Sequence, residues 1–302
     1  MDPELEPYLS LFPPSDLSDP PAARKQLAEL TATLPEPDTS GLEVEDRTVP
    51  AAGSADPPVP VRIYRPRNPR GALVWLHGGG FVMGDLDTEH PWAAMIADGS
   101  GATVVSVAYR LAPENPFPAA HDDAYAALVW ASGNAGVLGT TPDRIAVGGH
   151  SSGGGIAAAV ALRARDEQGP PVRFQLLNQA GLDDRQLTVS ARTFTDTPFV
   201  TRSKVAQMWG HYLGTAPATP YAAPARATDL SGLPPAYISA AEYCPNRDED
   251  IEYAVRLLQA GVPVELHQWA GTFHGSQQIQ SAEVSQLQTA ELLRALRRAL
   301  AE

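Results

Sequence analysis

Apolar positions follow two rhythms along this chain. Residues 42–49 and 59–65 alternate apolar and polar side chains with a period of two. That period predicts two half-covered strands at an antiparallel edge. Six further runs, 72–76, 102–109, 144–149, 172–177, 235–241 and 262–269, are apolar with little or no such alternation. Runs of this kind fit strands covered on both faces. Helical spacing falls between them, at 119–132, 154–165, 248–260 and 277–300. Strand-helix alternation predicts a mostly parallel sheet with helices on both faces.

Two stretches break the alternation. Residues 1–40 are rich in proline and acid, with one amphipathic segment at 21–34. That segment cannot bury its apolar face alone. Residues 187–230 carry Phe194, Phe199, Met208, Trp209, Tyr212 and Leu213, with helical spacing over 201–213. The expected organisation is one α/β domain over residues 41–302. Residues 1–40 form an N-terminal cap segment and 187–230 a cap insertion. Both would roof the C-terminal edge of the sheet, where ligands bind in open α/β folds and lids exclude water.

Composition narrows the function classes. A length of 302 residues suits one large α/β domain or two ordinary ones, and 43% apolar residues can fill a core. A net charge of −13 argues against nucleic acid and against anionic membrane surfaces. Cys244 is the only cysteine, so no intramolecular disulfide forms and a cytoplasmic chain is expected. The acidic start of the chain lacks the pattern of a signal peptide. No apolar run approaches the roughly 18 residues of a membrane helix. The histidines lack ligand spacing, so no metal is expected. The first strand-to-helix turn lacks the glycine fingerprint of a dinucleotide site. No cofactor is called for.

Three motifs carry chemistry. Gly149-His150-Ser151-Ser152-Gly153 stands between a strand and a helical run, the setting in which a serine is held on a strained turn with its Oγ exposed. His77-Gly78-Gly79-Gly80-Phe81 directly follows the strand at 72–76. Successive glycines let backbone N–H groups converge on one cavity, as an oxyanion hole requires. His274 follows the last strand, where a general base belongs in the order serine, acid, histidine.

Together with Tyr109-Arg110-Leu111-Ala112-Pro113-Glu114, Gly154 and Gly275, these motifs resemble the hormone-sensitive lipase group of α/β-hydrolases. The resemblance runs from about residue 62 to the C-terminus. It implies the α/β-hydrolase fold, a helical cap and a bacterial-type carboxylesterase. It implies Ser151 as nucleophile and His274 as base. It also implies the N–H groups of Gly79, Gly80 and Ser152 as oxyanion donors, with Gly78 shaping the loop.

The family's acid departs from its pattern. Its Asp-Pro-x-Arg-Asp-Glu stretch stands here as Cys244-Pro245-Asn246-Arg247-Asp248-Glu249. The acid position is a cysteine, which supplies no charge unless its pKa falls. Three readings stay open. Another carboxylate serves: Asp248 ranks first, then Asp184, with Asp183 and Glu242 also near the edge. Or a weakened enzyme runs on a Ser–His dyad. Or the chain binds a small molecule without turnover. Smaller departures are Gly275-Ser276 after the histidine and Asn178-Gln179-Ala180-Gly181 after the strand at 172–177.

The expected activity is hydrolysis of small-molecule esters with short to medium acyl chains through an acyl-enzyme on Ser151. Phe81, Trp209 and Tyr212 are expected to wall the substrate pocket. An exposed edge strand permits a homodimer without requiring one.

Overall fold

The structure is a computed structural model that describes residues 1–11, 16–33, 35–51, 53 and 56–301. Its strands are β1 (Leu42–Val49), β2 (Val59–Pro66), β3 (Ala72–Leu76), β4 (Thr103–Val107), β5 (Ile145–His150), β6 (Gln175–Asn178), β7 (Ala236–Tyr243) and β8 (Val264–Phe273). They form one sheet in the order β1-β2-β4-β3-β5-β6-β7-β8. β2 runs antiparallel to both β1 and β4, and every pair from β4 to β8 is parallel. The chain has the α/β-hydrolase fold.

Period-two geometry sorts the core. On β3, Val74 and Leu76 join Val105, Val147, Ile156 and Leu257 on one face. Leu73 and Trp75 join Val104, Ile96, Leu292 and Leu296 on the other. Helices α3 (Ala119–Gly133), α4 (Ser152–Asp166) and α7 (Arg247–Gln259) cover the first face. Helices α2 (His90–Ser100) and α8 (Glu283–Ala301) cover the second. Full burial of each such aliphatic side chain contributes about 1.5–3 kcal/mol, which is why the inner strands need no alternation.

Three elements differ from the pattern in the sequence. Helix α2 is absent from the helices expected from the sequence. Pro91 opens it and Gly101, in the left-handed region at φ 70°, closes it. The helix expected over 277–300 is split: a 3₁₀ turn at Ser276–Gln278 precedes α8, which starts at Glu283. β8 runs on to Phe273, past the expected end at 269. That extension delivers His274 to the sheet edge.

Because β3 and β5–β8 are parallel, the residues that follow them all emerge at one edge. His77, Ser151, Gln179, Cys244 and His274 each stand directly after a strand. Over this edge lie α1 (Pro20–Thr31), α5 (Val189–Thr193) and α6 (Arg202–Leu213). The Leu17 N–H donates to Gln207 Oε1 at 3.1 Å, and His211 Nε2 donates to the Leu17 carbonyl at 2.8 Å, joining the N-terminal segment to α6. Arg24 donates to the carbonyls of Val82 at 2.6 Å and Ala112 at 2.9 Å, pinning α1 to the loops after β3 and β4. Among the described residues, no helix is long and apolar enough to cross a membrane.

Candidate active site

Ser151 joins β5 to α4 with φ 55° and ψ −124°. That region disfavours side chains and costs on the order of 1–3 kcal/mol. The surroundings hold it there. Ser151 N–H donates to the Asn178 carbonyl at 2.9 Å, and its own carbonyl accepts from Gly181 N–H at 2.9 Å and Gly155 N–H at 3.2 Å. Gly153 is required by close approach: a Cβ there would drive into the Leu76 and His77 carbonyls.

His274 Nε2 lies 2.9 Å from Ser151 Oγ. Its loop is clamped by Gln179, whose Oε1 accepts from Gly275 N–H at 2.9 Å and whose Nε2 donates to Gln277 Oε1 at 2.6 Å. His274 is buried, and its pKa is pushed down to about 3, first by burial and then by the charges of Lys204 and His150. A neutral imidazole can accept the serine proton.

On the other side of the ring, His274 Nδ1 lies 3.2 Å from Cys244 Sγ. Burial, with Asp250 and Glu249 nearby, pushes the Cys244 thiol well above its usual pKa, against an opposing pull from the backbone N–H groups of Asn246 and Arg247. It is therefore a neutral thiol at neutral pH. A carboxylate only accepts, so it would force the proton onto Nδ1 and leave Nε2 free for Ser151. A thiol both donates and accepts, so it allows either tautomer.

None of the carboxylates weighed as the acid meets His274. Asp248, ranked first, faces away: its Oδ2 accepts from Ser190 N–H at 2.7 Å and its Oδ1 from Arg247 Nε at 2.8 Å. It stands at the start of α7, one helical turn past Cys244, and that turn aims it at α5. Asp183 is bound by Arg185 and Asp184 by Arg226. Glu242 accepts from Gly271 N–H at 2.7 Å.

The glycine loop lies beside the serine. Gly79 has φ 113° and Gly80 φ 63°. A Cβ on Gly79 would collide with the Met83 carbonyl, and one on Gly80 would sit 2.6 Å from Met208 Cγ. Tyr109 braces the loop, donating its hydroxyl to the His77 carbonyl at 2.8 Å and stacking on the His77 ring at 4.1 Å. Ser152 begins α4, where the first N–H groups of a helix have no intrahelical partner.

Ser151, His274, Gly79 and Gly80 line a cavity of about 290 Å³. Its apolar wall comes from Leu27, Met83, Trp92, Met95, Phe199 and Met208. Phe81, Trp209 and Tyr212, expected in that wall, are fully buried outside it. Phe81 stacks on Tyr212 at 3.9 Å and packs on Trp209 at 5.2 Å. They form an aromatic core that fastens α6 to the glycine loop. Lys204 also lines the cavity and had no motif to announce it. Glu89 does too, with Trp75 Nε1 donating to it at 2.6 Å and His150 at 3.3 Å.

Away from this edge, Glu265, His267 and Glu291 lie close enough to share an ion. Arg294 already bonds both carboxylates.

A family described by the α/β-hydrolase fold matches residues 73–278. Carboxylesterase NlhH of Mycobacterium tuberculosis is 42% identical over 293 residues, covering 91% of this chain and 88% of that one. Arylesterase of Saccharolobus solfataricus is 33% identical, covering 91% of each. The solved structure of a bacterial heroin esterase superposes with a TM-score of 0.95 at 45% identity, covering 100% of this chain and 98% of that one. The chain belongs to the hormone-sensitive lipase-like family of α/β-hydrolases.

Proposed function

We propose that this protein is a serine carboxylesterase that works through an acyl-enzyme on Ser151. The contact that carries the reading is His274 Nε2 at 2.9 Å from Ser151 Oγ, with the serine on a strained strand-to-helix turn. Ser151 Oγ attacks the ester carbonyl and passes its proton to His274. The N–H groups of Gly79, Gly80 and Ser152 hold the oxyanion. Collapse of the tetrahedral intermediate expels the alkoxide, which takes the proton back from His274. A water, deprotonated by His274, then cleaves the acyl-serine to give the carboxylic acid and free Ser151.

In this reading the N-terminal segment and residues 187–230 form a cap over the site. The cavity of about 290 Å³ suits short to medium acyl chains. Cys244 holds the position of the triad acid without its charge, so turnover is slow for the fold.

The test is hydrolysis of 4-nitrophenyl butyrate, together with labelling of the protein by a fluorophosphonate followed by mass spectrometry. Turnover and a single adduct on Ser151, both lost in Ser151→Ala, are expected. Equal rates for the two proteins would refute the reading.

A further inference from the structure

Asn178 ends β6 and opens the stretch Asn178-Gln179-Ala180-Gly181. It is 4% exposed and lines the cavity. Its backbone carbonyl accepts from Ser151 N–H at 2.9 Å. Its carboxamide makes no hydrogen bond among the described residues, and neither Oδ1 nor Nδ2 is sealed in the core.

Asn178 pairs in register with His150, and Leu176 two residues earlier packs in the cluster under α2 and α8. Register partners point to one face of a sheet, so both side chains face α2. His150 stacks on Trp75 at 6.0 Å and meets Trp92 of α2 at 6.3 Å. Its Nε2 donates to Glu89 Oε2 at 3.3 Å. A carboxylate only accepts, so Glu89 holds the proton on Nε2, and the neutral ring keeps Nδ1 as an acceptor. Glu89, His150 and Asn178 form a polar row in the cavity, with Trp92 and Met95 beside it.

The sheet order sets which half of an ester meets this row. The glycine loop follows β3, Ser151 follows β5 and His274 follows β8. The oxyanion and the leaving alkoxide therefore lie to opposite sides of Ser151 along the sheet edge. The acyl chain is left to cross that edge. Among the described residues, α3, α4 and α7 on one face contribute nothing to the cavity, whereas α2 on the other contributes Pro91, Trp92 and Met95. The acyl chain thus runs toward α2, over His150 and Asn178.

An alkyl chain there would strip water from the carboxamide and return no hydrogen bond. A hydroxyl both donates and accepts, as the carboxamide and the ring nitrogen require. An anion would meet Glu89, and a cation would share the cavity with Lys204.

We propose that Asn178, with His150 and Glu89 beside it, selects esters whose acyl portion carries a hydroxyl, that is, esters of short hydroxy acids. Hydrolysis with one water then gives the hydroxy acid and the alcohol. This inference rests on the carboxylesterase reading and names its substrate class.

The test compares kcat/KM for esters that differ by hydroxyl against methyl. Ethyl 3-hydroxypropanoate is set against ethyl butanoate, and each enantiomer of ethyl 3-hydroxybutanoate against ethyl 3-methylbutanoate. Each ratio is divided by that for hydrolysis by hydroxide, which removes the inductive effect of the hydroxyl. The wild-type protein should prefer at least one hydroxy ester about tenfold or more. The wild-type ratio needs no variant to fold. In Asn178→Leu, shown folded by a thermal melt, the preference should fall to about one. No preference in the wild type, or an undiminished one in folded Asn178→Leu, would overturn the inference alone. So would an equal preference for 2-hydroxyethyl acetate over propyl acetate, which puts the hydroxyl on the alcohol side. If wild type and Ser151→Ala hydrolyse every ester equally, the carboxylesterase reading falls, and this inference with it.

Discussion

Cys244 Sγ sits 3.2 Å from His274 Nδ1, in the place from which a triad acid orients its base. The neutral thiol neither fixes the imidazole tautomer nor offsets the charge that His274 acquires during attack. The rest of the machinery is aligned, with His274 Nε2 at 2.9 Å from Ser151 Oγ. The site is thus assembled around a partner that orients by contact and not by charge.

Cys244→Asp should raise kcat/KM for 4-nitrophenyl butyrate by about 10²–10⁴-fold, since loss of the acid in other triads costs up to about 10⁴. Steady-state kinetics alongside a thermal melt check this. A folded variant with no gain in rate would show that the cysteine does not limit turnover.

Asp248→Ala should leave the rate nearly intact and lower the melting temperature. Its carboxylate ties Ser190 N–H and Arg247 Nε together, bracing α5 against α7. Removing a charged acceptor of two such bonds costs about 1.5–3 kcal/mol, or several degrees in a chain of this size. A collapse in rate with an unchanged melt would restore Asp248 as the acid.

What the sequence reveals here is what local rules control. The glycines flanking Ser151 and those of the loop after β3 mark backbone turns that few other residues tolerate, so they read directly. The length of β3 reads directly as well, since both of its faces are covered. The partners of side chains depend on packing between distant elements. Asp248 lies in the expected loop, yet the first turn of α7 points it at Ser190. Phe81, Trp209 and Tyr212 have the right size and spacing for a pocket wall but find one another instead. Leu27 and Trp92 reach the cavity from helices that come from distant parts of the chain. Lys204 becomes informative only once its burial is known.

Gly79 and Gly80, proposed as oxyanion donors, should fail differently when substituted. In Gly79→Ala the obstacle is the Met83 carbonyl, a backbone group that cannot step aside. In Gly80→Ala it is the Met208 side chain, 2.6 Å from the new Cβ. Each variant should lose about 10²–10³-fold in kcat, the scale of one lost oxyanion donor. Adding Met208→Ala should recover part of the loss for Gly80→Ala and none for Gly79→Ala. Equal recovery in both, measured on the same ester, would place the fault in the cap and not in the loop.

The pH profile tests the buried base. Burial and the Lys204 charge push the His274 pKa down to about 3, against a usual value of 6.5. The acid limb of kcat/KM should therefore lie well below that of a typical histidine base, leaving the profile flat from roughly pH 7 down to pH 5. The same shift bears on stability with a definite sign. Between the two pKa values the unfolded chain holds the proton that folded His274 refuses, so this residue's contribution is complete above 6.5 and is lost as pH falls toward 3. Lys204→Met should move the acid limb upward by removing a positive charge, and Cys244→Asp should move it further by adding a negative one. Profiles measured with a melt at each pH separate the two effects. An acid limb near pH 6.5 in the wild-type protein would mean that His274 is hydrated and not buried.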